Sequence, residues 1–153
     1  MTIAVDFDGT IVEHRYPEIG PEKPFATETL RMLIRDRHQL ILWTVRSGRL
    51  LDEAIAWCRE RGVEFWAVNR DFPEENVEKN EHFSRKLKVD LFIDDRNLGG
   101  LPDWGTIYRM ISENKSWHDL TSADLPESPK KSLWSSFVLR KNNKNSKNPF
   151  QKL

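Results

Sequence analysis

The chain has 153 residues, with 24 basic and 24 acidic side chains, four histidines and one cysteine; 38 % of it is hydrophobic and 31 % charged. This length suits one domain with a single substantial core, and the balance is that of a globular chain rather than a disordered one. No apolar run approaches the ~20 residues of a membrane span, no signal-peptide pattern opens the chain, and a lone Cys58 excludes an intrachain disulfide, so a reducing cytoplasm is the expected compartment.

The first expected element is a strand over Ile3–Phe7, a nearly unbroken apolar run of the kind covered on both faces. It leads into Ala4-Val5-Asp6-Phe7-Asp8-Gly9-Thr10-Ile11-Val12, where two carboxylates stand one residue apart. Period-two alternation starts Asp6 and Asp8 on one face. Two anions that close repel, and something cationic must answer them. Leu30, Leu33 and Ile34 then mark a helix over Phe25–Arg37. A second strand, Leu40–Val45, reaches Thr44 and is followed by Arg46, Ser47 and Gly48. Leu51, Ala54, Ile55 and Cys58 share one stripe of a helix over Leu50–Arg61, which Gly62 terminates. Cys58 therefore reads as a small core residue rather than a nucleophile. Strands over Phe65–Val68 and Val89–Ile93 follow, the latter running into Asp94-Asp95-Arg96-Asn97. A last helix over Trp104–Lys115 faces inward with Trp104, Ile107, Tyr108 and Ile111.

Strands alternating with helices predict a single Rossmann-like, three-layer α/β domain with a central parallel sheet. Residues 1–126 hold 17 basic against 23 acidic side chains and residues 127–153 hold seven against one, so the zero total conceals charges of −6 and +6. The expected organisation is a domain over 1–126 and a basic, disordered tail over 127–153, polar and low in complexity around Arg140–Asn148. Such a tail can hold nucleic acid, although a solvated extension is its commoner meaning. Trp134, Phe137, Val138 and Leu139 could dock it back.

Ligands of open parallel sheets bind beyond the carboxyl ends of the strands. There the sequence gathers Asp6, Asp8, Thr44, Asp94 and Asp95, with Arg46, Ser47 and Arg96 beside them. Oxygen ligands suit magnesium, a hard cation usually partnered by substrate phosphate. His14, His38, His82 and His118 are scattered and no Cys/His cluster has zinc spacing. Neither Gly-x-x-x-x-Gly-Lys nor Gly-x-Gly-x-x-Gly occurs, which removes the main support for a nucleotide-binding fold.

Asp-x-Asp-Gly-Thr at 6–10, Thr44, a basic residue ahead of the last strand, and Asp94-Asp95 closing that strand resemble, in this order, the motifs of the haloacid dehalogenase superfamily of phosphatases. The resemblance spans roughly residues 1–115. It is nearest to the small capless hydrolases, since neither the stretch after Thr10 nor that between Thr44 and Lys86 has room for a cap domain. It implies a magnesium-dependent phosphomonoester hydrolase that works through an aspartyl-phosphate. In these terms Asp6 is the nucleophile and a metal ligand. Asp8 is the general acid and base, and its backbone carbonyl a metal ligand, with Gly9 bending its side chain away. Thr44 binds phosphate, Asp94 completes the metal site, and Asp95 stands behind it, orienting a bound water. Lys86, chosen from Ser84-Arg85-Lys86-Leu87-Lys88, is the phosphate-binding lysine, with Lys79 as second choice. Arg46, Ser47 and Arg96 flank the mouth, where substrate contact and a surface salt bridge are equally good readings.

A dehalogenase of the same superfamily has no need of magnesium or of Asp8. A non-catalytic binding module has no need of the intact set Asp6, Asp8, Thr44 and Asp94. A phosphotransferase or a polynucleotide-end phosphatase would use the same residues as a hydrolase. The expected partner is a phosphorylated substrate. Without a cap, its selection falls to loops Ile11–Pro24 and Asn69–Phe83, including His14, Arg15 and Tyr16, or to a second subunit of a homo-oligomer.

Overall fold

Ile3 and Val5 point to one side of the first strand and Ala4 to the other, and neighbouring strands repeat this alternation in register. In the computed structural model, which describes residues 1–76, 86–116, 118 and 119, the strands are β1 (Thr2–Val5), β2 (Gln39–Leu42), β3 (Ala67–Val68) and β4 (Leu91–Ile93). They form an all-parallel sheet in the order β3-β2-β1-β4, with Ala4 beside both Ile41 and Phe92. The helices are α1 (Ala26–Arg35), α2 (Gly48–Glu60) and α3 (Trp104–Ser112). The expected α/β class with a parallel sheet is what the chain adopts.

The larger core joins Ile3, Val5, Leu40, Leu42 and Ile93 of the sheet to Leu30 and Leu33 of α1, Ala54 and Cys58 of α2, and Trp104, Ile107 and Ile111 of α3. All three helices thus cover one face. The opposite face carries a smaller cluster of Ala4, Ile41, Ala67 and Leu87, with Trp43, Val89 and Phe92 against it. Of the three expected layers, the described residues show the sheet and one helical layer.

β1 and β2 stop earlier than their apolar runs, whereas β3 and β4 end where expected, at Val68 and Ile93. β1 ends at Val5 rather than Phe7, because the chain turns at the aspartates. Ladder bonding nevertheless continues past the strand, with Asp6 N–H donating to the Ile93 carbonyl and Trp43 N–H to the Val5 carbonyl, both at 2.9 Å. The helix starts have local causes. The Glu22 carboxylate accepts from the Thr27 N–H at 3.0 Å and its hydroxyl at 2.6 Å, and Asp103 caps α3 through the Thr106 N–H at 2.9 Å.

Met1–Asn114 group as one unit and Lys115–Leu153 as another. In the second, the Ser116 N–H and hydroxyl both donate to Asp119 Oδ2 at 2.7 Å. The expected boundary at residue 126, the basic tail 127–153 with Trp134 and Phe137, and Lys79, His82, Ser84 and Arg85 lie outside the described residues. Among those described, no helix is long and apolar enough to cross a membrane.

Candidate active site

The end of β1 is a self-bonded turn. The Phe7 carbonyl accepts from the Ile11 N–H at 3.0 Å and the Val12 N–H at 3.2 Å, while the Gly9 N–H donates to the Val12 carbonyl at 2.8 Å. Gly9 has φ +93°, and a Cβ there would lie 2.3 Å from Asp95 Oδ2. Only glycine fits both demands. The turn parts the two aspartates: the Asp6 carboxylate meets Asp94 and Asp95, and the Asp8 carboxylate meets Arg46.

Asp6, Asp94 and Asp95 bring one carboxylate oxygen each within 4.8 Å of one another. Thr10, fully buried, ties two of them together: its hydroxyl donates to Asp6 Oδ2 and accepts from the Asp95 N–H, both at 3.0 Å. The Trp104 indole N–H holds the Thr10 carbonyl at 3.3 Å, so α3 braces the same turn. Asp94 Oδ1 accepts from the Arg96 N–H at 2.8 Å, and Asn97 Nδ2 donates to the Asp94 carbonyl at 2.8 Å.

Burial lifts the Asp6 carboxyl from 3.8 to about 6; bonds from Thr10 and the Phe7 N–H oppose this, and the charges of Asp94 and Asp95 add to it. Among the described residues, Asp95 Oδ1 is buried with no hydrogen-bond donor to it. A buried carboxylate oxygen of this kind calls for a cation or water. Three clustered carboxylates and an unanswered oxygen form an oxygen-only donor set that fits a hard divalent cation. Asp95, expected behind Asp94, has an oxygen in the same cluster, and its backbone is bonded to the Thr10 hydroxyl of the turn.

Arg46 was expected at the mouth. It is only 1 % exposed. Its Nε donates to Asp8 Oδ2 and its Nη2 to Asp8 Oδ1, each at 2.7 Å, while Nη1 and Nη2 donate to the carbonyls of Pro17 at 3.0 Å and Glu18 at 2.9 Å. The guanidinium stands 5.1 Å from the Phe7 ring centroid and 5.4 Å from that of Tyr16. Buried charge needs this degree of pairing, and the planar fork of arginine supplies it. Both Asp8 oxygens are thus engaged by Arg46, apart from the Asp6, Asp94 and Asp95 cluster.

Thr44 is fixed from β3. Its N–H donates to Asn69 Oδ1 at 2.8 Å and its carbonyl accepts from Asn69 Nδ2 at 2.9 Å, while its hydroxyl accepts from the Arg46 N–H at 3.2 Å. The hydroxyl proton is left for a ligand. Asp6, Asp8, Thr44, Asp94 and Arg96 line one cavity of about 470 Å³ with His14, Tyr16, Trp43 and Val45. Four of the expected site residues and one flanking arginine therefore share a cavity. Ser47 is exposed at the N-cap of α2 and makes no side-chain cap bond. Lys86 is exposed and is not among the residues lining the cavity. Asn69, whose φ of +52° favours asparagine, went unnoticed as a site residue. An asparagine just past a strand end was its only signal.

No family model matches the chain, and no curated protein matches it. Among solved structures, that of a conserved protein from Bacteroides thetaiotaomicron is similar at 68 % sequence identity, with a TM-score of 0.73, over 78 % of this chain and 96 % of that one.

Proposed function

We propose that this chain, which belongs to the same protein family as the conserved Bacteroides thetaiotaomicron protein, is a magnesium-dependent phosphomonoester hydrolase of the haloacid dehalogenase type. The observation that carries the reading is convergence. Asp6, Thr44 and Asp94, just beyond the ends of β1, β2 and β4, line one cavity with Asp8, and Asp6, Asp94 and Asp95 stand close enough to share one ion.

Asp6, Asp94 and Asp95, with the Asp8 carbonyl, are the residues that would hold magnesium, which supplies positive charge between an anionic nucleophile and an anionic phosphoryl group. An Asp6 oxygen attacks phosphorus, and the bond from phosphorus to the ester oxygen breaks with its electron pair. Asp8 enters this step as the carboxylic acid, its proton on a lone pair that Arg46 does not occupy, and passes that proton to the leaving oxygen, giving an alcohol and an aspartyl-phosphate. A water molecule then attacks phosphorus, passing a proton to Asp8. The electron pair of the Asp6–phosphorus bond returns to Asp6, and inorganic phosphate leaves. The Thr44 hydroxyl donates to a phosphoryl oxygen throughout. Near neutral pH, a group titrating at about 6 is mostly the carboxylate that attack requires.

The test is turnover of a panel of phosphorylated metabolites with magnesium and with a chelator, together with peptide mass spectrometry after reaction with acetyl phosphate. The reading expects metal-dependent phosphate release and a phosphoryl adduct on Asp6 that Asp6→Asn lacks. Asp94→Asn and Asp95→Asn should raise the magnesium needed for half-maximal rate. Binding without turnover would leave a binding module. An adduct on another residue, or full activity in Asp6→Asn, would overturn the mechanism.

A further inference from the structure

Among the described residues, Arg46 is the largest of the fully buried side chains, and the proposed mechanism gives it no part. Its guanidinium makes four hydrogen bonds, two to Asp8 and two to consecutive carbonyls of the loop that brings His14 and Tyr16 to the cavity. That loop is closed at its base by the Glu13 N–H donating to the Pro21 carbonyl at 2.8 Å and the Lys23 N–H to the Ile11 carbonyl at 2.9 Å. Glu13 and Gly20 press together so closely that a Cβ at Gly20 would lie 2.0 Å from the Glu13 carbonyl oxygen. Between that base and its tip, Arg46 holds the loop from inside.

The geometry points to Arg46 as a positioning residue for the leaving group: one guanidinium fixes both the Asp8 carboxylate that handles its proton and the His14–Glu18 wall that faces it. This rests on the proposed hydrolase reading. A carboxylate offers about four lone-pair directions on its two oxygens. The fork from Arg46 takes one on each, which aims the others and prevents rotation of the carboxylate. Because the same cation holds Pro17 and Glu18, the wall cannot move without loosening Asp8. Among the described residues Arg46 bonds Asp8 rather than Asp6 and is not one of those lining the cavity, so its effect passes through Asp8. Lysine cannot replace it, since an ammonium is a point charge without a fork.

The test uses the full chain with magnesium, comparing wild type, Arg46→Lys, Asp8→Asn and the double variant on glycerol phosphate, whose alkoxide leaving group needs a proton, and on acetyl phosphate, whose carboxylate does not. Rates are divided by the phosphoenzyme that each preparation forms with acetyl phosphate, so only folded, competent sites are counted. Positioned proton transfer is worth ~10²–10⁴-fold, and losing the fork should remove about 10- to 100-fold of kcat on glycerol phosphate in Arg46→Lys. Phosphorylation of Asp6 by acetyl phosphate should stay within about three-fold of wild type, and the phosphoenzyme should decay more slowly. In the Asp8→Asn background the Arg46→Lys change should add less than about two-fold, because effects that pass through one residue are not additive. Equal loss in the rate of Asp6 phosphorylation by the two substrates, or a full further loss in the double variant, would overturn the positioning role and leave Arg46 a structural residue. If Arg46→Lys yields no competent sites, the comparison passes to Arg46→Gln, with the same outcomes. Failure of wild type to label Asp6 would instead sink the hydrolase reading, which is a separate result.

Discussion

The side-chain amide of Asn69 grips both backbone groups of Thr44, accepting from its N–H at 2.8 Å and donating to its carbonyl at 2.9 Å. Two strands of the sheet thus meet at their C-terminal ends through one side chain that imitates a further rung of the ladder. The contact sets where the Thr44 hydroxyl stands, although Asn69 does not line the cavity.

Asn69→Ala should lower the free energy of unfolding by about 1–3 kcal/mol, the effect of leaving partly buried partners unsatisfied. Urea unfolding measures it. Asn69→Gly separates the causes, since glycine takes the positive φ without strain. A loss of similar size in both variants would assign the effect to the two hydrogen bonds.

Asp6 makes folding pH-dependent when metal is chelated. Its carboxyl moves from 3.8 to about 6 on folding, so between these values the native state holds more proton than the unfolded chain. Stability contributed by this group is then greatest at the acid end and falls as pH rises through the window. In thermal melts with a chelator, Asp6→Asn should remove that downward slope. Above pH 6 the variant should melt higher than wild type while lacking turnover. An unchanged slope would show that Asp6 does not titrate there.

Gly9→Ala should damage metal binding more than the fold. The added methyl meets Asp95 Oδ2 at 2.3 Å, and a residue held in a sparsely populated backbone region costs about 1–3 kcal/mol. Relief comes from pushing Asp95 out of the acidic cluster. The melting temperature should drop by several degrees, and the rise expected of wild type on adding magnesium should shrink. Titrating magnesium against the melting temperature of both proteins tests this.

Cys58 should resist alkylation in the native protein. Burial pushes its thiol up to about 12, and the thiolate is the reactive species. Iodoacetamide at pH 8 should modify it only in denaturant, as mass spectrometry of intact protein would show. Fast native labelling would place it outside the core.

Much of this arrangement was legible because its signals are local. Apolar runs with a period marked β1, β2, α1 and α2, and polar residues at the strand ends marked Asp6, Thr44 and Asp94. Strand ends were read too long, since Phe7 and Val45 are apolar for reasons other than sheet pairing: Phe7 is buried beside Arg46 and Trp57, and Val45 is 81 % exposed. The pairing of Arg46 with Asp8 was not legible. The two are separated by 38 positions, and nothing in Arg-Ser-Gly distinguishes a buried fork from a solvated cation. The same holds for Asp95, whose place depends on a hydroxyl 85 positions away.

Asp6 follows directly on β1, which lies between β2 and β4, so hydrogen bonds flank its base on both sides. Amides there should exchange with solvent only when the whole sheet opens. The carboxylate proposed as nucleophile therefore sits at the end of a strand bonded on both sides. Enzymes built on soft loops lose activity well before they melt. Here inactivation by heat or denaturant should coincide with global unfolding, in one transition.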